Sequence, residues 1–176
     1  MTLKVSNQVR KILADNNLGI KLDIGCGSNK QPGFIGMDKR KLETVDIVHD
    51  AEHFPYPIPD ESCSVVLMSH VWEHIKPWLT IDLMNELWRI TKPGGQLWLA
   101  LPYGWSFGYI QDPTHCNPAN EATWTYFDPE HISGLYKVYQ PLPWKIERNE
   151  YQVTGNMEVI LSKRPKDYKK EVKDGK

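Results

Sequence analysis

The chain has 176 residues, of which 40% are hydrophobic and 24% charged, and its 21 Lys and Arg against 22 Asp and Glu leave a net charge of −1. This is the size of one domain with a full core; the balanced charge offers no broad field for phosphate backbones, so nucleic acid is disfavoured as a partner. No apolar run reaches membrane-spanning length, the amino-terminal stretch lacks a signal-peptide core, and Cys26, Cys63 and Cys116 form no C-x-x-C pair, so a cytoplasmic, non-membrane protein is expected.

Val5, Val9, Ile12 and Leu13 recur at helical spacing, which predicts a short lid or packing helix within residues 1–20. Leu22 and Ile24 around Asp23, followed at once by Gly25-Cys26-Gly27-Ser28-Asn29, predict a buried strand running into a glycine turn. Without a Cβ, Gly25 and Gly27 let the backbone take positive φ and approach a ligand closely. Phe34 to Asp38 reads as a second strand ending in a carboxylate, suited to accept both hydroxyls of a ribose. The third glycine of a dinucleotide fingerprint would fall at position 30, where Lys30 stands, and its absence argues for a nucleotide-like ligand without a pyrophosphate.

Asp23-Ile24-Gly25-Cys26-Gly27 resembles the first motif of the class I S-adenosylmethionine-dependent methyltransferases, departing from it at Asn29 and in the short link from Ser28 to Phe34. Val45 to Asp50 predicts a third strand, and the proline-rich stretch after it a loop. Asp50-Ala51-Glu52, followed by Pro55 and Pro57, is similar to a second family segment, whose acidic residue meets the adenine amino group. Ser62 to Ser69 reads as a fourth strand and Thr80 to Thr91 as an amphipathic helix stopped by Lys92-Pro93-Gly94-Gly95, with a fifth strand from Gln96 to Leu101. That helix, turn and strand also resemble the family.

Tyr103 to Phe127 is rich in aromatic residues and broken by Asp112-Pro113-Thr114-His115-Cys116-Asn117-Pro118, which predicts an aromatic-walled acceptor pocket. Asp128 is positioned to cap a helix from Pro129 through Tyr136. Trp144 to Thr154 and Asn156 to Ser162 predict a terminal hairpin, and residues 164–176 a charged, disordered tail. The expected fold is therefore α/β: one doubly wound, mostly parallel sheet, Rossmann-like, of seven strands with a C-terminal antiparallel hairpin, spanning residues 1–163. Ligands should lie where strands one and four meet, at the C-terminal edge.

The resemblance implies S-adenosylmethionine as cofactor, held by Asp23, Gly25, Cys26, Gly27, Asp38, Lys39, Asp50, Ala51, Ser69 and His70. It implies methyl transfer to an oxygen or nitrogen of a small or sugar-like acceptor, walled by Trp72, His74, Tyr103, Trp105 and Tyr126. The other reading is a cofactor-binding regulatory or scaffold protein that has lost catalysis, and a homodimer is left open. His70, His74 and His115 are candidate general bases because imidazole titrates near neutral pH; His115 is preferred, with Asp112 three residues earlier to orient its ring. A structural role for His115, holding its loop, stands beside that. His70-x-x-Glu73-His74 with His115 is also similar to the E-x-x-E-H metal site of small-RNA and ubiquinone-pathway O-methyltransferases. His70 replaces the first glutamate, which counts against magnesium, and the same string borders the cofactor in metal-free relatives, so no metal is assigned.

Overall fold

The computed structural model describes residues 19–168; the amino-terminal helix expected before Gly19, and tail residues 169–176, lie outside them. A seven-stranded sheet runs through the molecule in the order β3-β2-β1-β4-β5-β7-β6. Its strands are β1 (Ile20–Ile24), β2 (Ile35–Asp38), β3 (Ile47–Val48), β4 (Cys63–Ser69), β5 (Thr91–Pro102), β6 (Trp144–Tyr151) and β7 (Asn156–Lys163). Strands β1 to β5 are parallel to one another, while β7 runs antiparallel to both β5 and β6.

Strand β1 lies inside the sheet, where Leu22 pairs with Ile35 on one side and Val66 on the other, and Leu22 and Ile24 are wholly buried. Each such side chain contributes about 1.5–3 kcal/mol relative to exposure. Helix α1 (Thr80–Ile90) lays Leu83, Met84, Leu87 and Ile90 into the core at the spacing of one helical face. It ends at Thr91, whose backbone is already extended as the first residue of β5, and Thr91 Oγ1 donates to the Leu87 carbonyl at 2.7 Å.

Four expectations are corrected. The Lys92-Pro93-Gly94-Gly95 stop is not separate from the fifth strand: it lies within β5 as a bulge, with a register shift where Cys63 pairs Thr91 but Val65 pairs Gln96. The third strand shrinks to two residues because the Asp46 carboxylate binds Gly36 N–H at 2.8 Å and Lys30 at 2.7 Å. The helix expected from Pro129 is a chain of turns. Asp128 takes Glu130 N–H and Ile146 N–H, Gly134 is left-handed (φ 67°), and helical structure is confined to Tyr136–Tyr139. Residues 164–168 of the tail are fastened to the body: Arg164 bonds Asp128 and Glu130, and the Tyr168 hydroxyl bonds Glu130. No helix among the described residues is long and apolar enough to cross a membrane.

Candidate active site

A cleft of about 530 Å³ opens at the C-terminal edge of β1, β2 and β4, lined by residues from five segments of chain. Of the ten positions expected to hold the cofactor, Gly25, Asp38, Lys39, Asp50, Ala51 and His70 line it.

The glycine turn is dictated by the protein itself. Gly25 has φ 69°, and a Cβ there would meet Val71 Cγ2 at 2.2 Å, so any side chain is both strained and blocked. Its N–H donates to the Met37 carbonyl at 2.7 Å, locking the turn to β2. At the end of β2 the Asp38 carboxylate accepts four N–H groups: Gly27 N at 3.0 Å, Arg40 N at 2.8 Å, Arg40 Nε at 3.1 Å and Arg40 Nη2 at 3.3 Å. Burial pushes its pKa up, but the bonds from Arg40 and Gly27 outweigh it and hold Asp38 below its ordinary value. The Asp50 carboxylate caps its own turn through Glu52 N–H at 3.0 Å. Glu52 in turn bonds Lys76, fastening this loop to the segment after β4.

Four positions expected at the cofactor do not line the cleft. Asp23 is buried and accepts Gln31 N–H at 2.9 Å, so it holds the glycine loop instead of facing the cleft. Burial raises its pKa against the Gln31 bond and the Lys30 charge. Cys26 turns its sulfur toward Gly36, where a Cβ would lie only 2.7 Å away. Gly27 sits beneath the Arg40 guanidinium, and Ser69 ends β4 outside the lining.

The acceptor side departs further from expectation. Trp72 is 1% exposed and packs against Trp124 with ring centroids 4.8 Å apart, so it belongs to the core. Tyr103 packs on Tyr151 and Tyr126 on Tyr139, while Trp105 is 79% exposed. None of these four lines this cleft; of the five acceptor residues only His74 does, with Thr114 beside it.

Asp112 does not hydrogen-bond His115, since Asp112 Oδ2 and His115 Nε2 are 3.7 Å apart. The His115 ring is set by the Tyr109 carbonyl, 2.9 Å from Nδ1, and its side chain is only 8% exposed. Asp112 instead takes the Thr114 hydroxyl at 2.7 Å and Thr114 N–H at 2.8 Å, and Thr114 Oγ1 lies 3.1 Å from His74 Nδ1. The two imidazoles meet edge to face, 4.7 Å between centroids. Beneath them, Glu73 is 1% exposed with Oε1 at 3.2 Å from His70 Nδ1, a bond that, against burial, raises the pKa of His70. His70 itself is left-handed (φ 54°), and the 3₁₀ turn Trp72–His74 follows it, so His70, Glu73 and His74 do not share one α-helical face.

Residues 109–117 reach the cleft through bonds distant in sequence. Cys116 and Asn117 donate their N–H groups to the Glu73 carbonyl at 2.8 and 3.2 Å, and Asn117 Nδ2 donates to Thr80 Oγ1 at 3.1 Å. Sequence reasoning missed Arg40, Thr114 and Val71. Arg40, two residues beyond a strand-end carboxylate, carried a signal; so did Thr114, two residues after Asp112 in an Asx turn. Val71 had none.

The family model described as a methyltransferase domain matches residues 26–99. None of the curated proteins matches the chain. Among solved structures, the chain is similar to a SAM-dependent methyltransferase from Archaeoglobus fulgidus, with TM-score 0.60, 18% identity, and coverage of 89% of this chain and 91% of that one. It is also similar to a 16S rRNA (adenine(1408)-N(1))-methyltransferase of Catenulisporales acidiphilia solved with its cosubstrate SAM, with TM-score 0.59, 16% identity and 93% coverage of both chains. The YcgJ protein from Bacillus subtilis is a third, with TM-score 0.54, 14% identity, and coverage of 89% of this chain and 98% of that one.

Proposed function

We propose that this chain, which has the class I S-adenosylmethionine-dependent methyltransferase fold and whose indicated cofactor is S-adenosylmethionine, is an active methyltransferase. Its acceptor is an oxygen or nitrogen of a small or sugar-like molecule, entering beside His74 and Thr114. The observation that carries this reading is the convergence of Gly25, Asp38, Asp50, Ala51, His74 and Thr114 on one cleft of about 530 Å³, within the ~300–1,000 Å³ usual for small-molecule sites.

The residues fit the cofactor. Gly25 presents bare backbone at the end of β1, Asp38 is the acceptor for ribose hydroxyls, and Asp50 with Ala51 flanks the adenine. The four N–H groups already on Asp38 fill its acceptor positions, so ribose binding requires the exposed Arg40 side chain to swing away. When bound, S-adenosylmethionine supplies an electrophilic methyl on a sulfonium, attacked from the side opposite sulfur. The protein's part is to hold the acceptor in line with it and to accommodate the acceptor's proton. His74 meets the acceptor; His115, which the sequence spacing favoured as base, supports the His74 ring from behind. The near-zero net charge supports a small acceptor over a polyanion.

Calorimetry with S-adenosylmethionine, S-adenosylhomocysteine and NAD tests the cofactor; saturable binding of the first two and not the third is expected. Labelled-methyl transfer over a panel of sugars, phenols, amines and RNA then identifies the acceptor. Cofactor binding without transfer to any of them would leave a binding protein, and transfer to RNA alone would overturn the small-molecule reading.

A further inference from the structure

We propose that Asp112 and Thr114 form a relay behind His74 that fixes its tautomer and makes its Nε2 the general base for the acceptor's proton. This deepens the methyltransferase reading and rests on it. His74 is the catalytic residue; Asp112 and Thr114 are positioning residues that act through it.

The direction of each hydrogen bond follows from which groups can donate. The Asp112 carboxylate can only accept, and its Oδ1 already takes Thr114 N–H at 2.8 Å. Bonds from the Thr114 amide and hydroxyl hold the Asp112 pKa below its ordinary value, so the group is ionised at neutral pH. The Thr114 hydroxyl has one proton, and the 2.7 Å contact from Oγ1 to the same Oδ1 uses it. Oγ1 then has only lone pairs to offer His74 Nδ1, 3.1 Å away, so the bond between them is Nδ1–H donating to Oγ1. A neutral imidazole with its proton on Nδ1 carries a lone pair on Nε2. His74 is exposed and lines the cleft, so that lone pair belongs to a ring the acceptor can reach.

The surroundings favour the charge that a base acquires. A protonated His74 stands one hydroxyl away from the Asp112 carboxylate, and an oxygen of the buried Glu73 carboxylate lies within 4.8 Å of one of its ring nitrogens. The other two imidazoles at this end are committed elsewhere. His115 does not line the cleft, and its Nδ1 is held by the Tyr109 carbonyl. His70 does line it, but its bond to Glu73 raises its pKa against burial and favours the protonated form, which takes up no further proton.

In the step itself the acceptor's proton passes to His74 Nε2 and the electron pair it leaves behind forms the bond to the methyl carbon. The carbon–sulfur bond breaks with its pair left on sulfur, and the imidazolium later gives the Nε2 proton to solvent. Nδ1–H stays on Thr114 throughout, so the ring neither turns nor changes tautomer between turnovers.

The hydroxyl in the middle makes the relay testable, because valine keeps the shape of threonine without it and serine keeps it without the methyl group. The test uses the full chain with Thr114→Val and Thr114→Ser, each checked for folding by circular dichroism. Long-range proton–nitrogen NMR of the imidazole rings in mildly alkaline solution, without cofactor or acceptor, reads the tautomers directly. His74 should carry its proton on Nδ1 in the wild-type chain and in Thr114→Ser and lose that preference in Thr114→Val, while His115 stays protonated on Nδ1 in all three. A wild-type His74 protonated on Nε2 would overturn the relay, and that spectrum decides even if a variant does not fold. Methyl transfer is then measured at saturating S-adenosylmethionine on the member of the sugar, phenol and amine panel that accepts label. Thr114→Val should lower kcat about tenfold or more with cofactor affinity unchanged, and Thr114→Ser should recover most of the loss. Equal losses in both variants would show a packing role and overturn the proposal. Failure to bind S-adenosylmethionine removes the methyltransferase reading and the base with it, whereas binding and transfer by a chain whose His74 is protonated on Nε2 removes the relay alone.

Discussion

The two ends of the cleft are built by different means. At the cofactor end each functional group stands at or just past the end of a strand, and the sheet positions it: Gly25 after β1, Asp38 ending β2, Asp50 two residues past β3. At the acceptor end two irregular segments, 70–75 and 109–117, are joined by bonds such as Cys116 N–H to the Glu73 carbonyl, forty-three residues apart, and Asn117 ties the later one to Thr80 at the start of α1. A sheet edge gives fixed positions whatever the loops do. A pair of loops holds its side chains only while its cross-links last, so the two ends should fail separately when cross-links or strand ends are removed.

The largest effect should come from Gly25→Ala. A left-handed φ of 69° and a Cβ 2.2 Å from Val71 combine overpacking with backbone strain, for a loss of about 3 kcal/mol in urea unfolding and of measurable cofactor binding. Asp38→Ala should weaken S-adenosylmethionine by roughly ten- to hundred-fold in titration calorimetry, the effect of losing bonds to a charged acceptor worth about 1.5–3 kcal/mol. Acceptor turnover at saturating cofactor should be far less affected, and an equal loss in both would break the division between the ends.

Asn117→Ala tests the other end. Removing the bond to Thr80 should cost about 1 kcal/mol of stability and lower methyl transfer while cofactor affinity stays within twofold. Arg40→Ala should move the cofactor end in the opposite direction to Asp38→Ala: with the guanidinium gone, Asp38 is free for the ribose and affinity should rise a few-fold. The smallest effect is chemical. Burial, with the nearby Asp23 and Asp38 charges, pushes the Cys26 thiol up to about 11, and burial pushes Cys63 up to about 12, whereas Cys116 is exposed on the acceptor loop. Mild maleimide treatment should therefore label Cys116 alone by mass spectrometry and slow transfer without changing cofactor affinity.

The same division decides what the sequence could reveal. The alternation around Asp23, the glycine pair and the apolar runs of β4 and α1 are local patterns with one physical solution, and six of the ten expected cofactor positions line the cleft. Aromatic content between Tyr103 and Phe127 was a poorer guide. Aromatic side chains serve core, surface and pocket alike, and here Trp124 and Phe127 fill the core while Trp105 and Phe107 face solvent. Spacing also made Asp112 a partner for His115, but the Asx turn directs its carboxylate to Thr114. His74 and His115, forty-one residues apart, meet because bonds to the Glu73 carbonyl, His74 and Thr80 hold the later loop, and no periodicity encodes those bonds.

The sheet order has a consequence for how this chain must be made. Strand β7, the last of the described strands in sequence, lies between β5 and β6 and is the only described strand that β6 pairs with. As the chain is synthesised, β6 emerges with no neighbour to join, and β5 waits with one edge open. Neither can be satisfied until Asn156–Lys163 is free to slide between them. The parallel half, β1 to β5, can assemble before Asn156–Lys163 has been synthesised, whereas the antiparallel half closes only afterwards. In that interval the open edge of β5, with Leu97, Leu99 and Leu101 not yet covered by β7, is the surface by which a nascent chain would aggregate or be held by a chaperone.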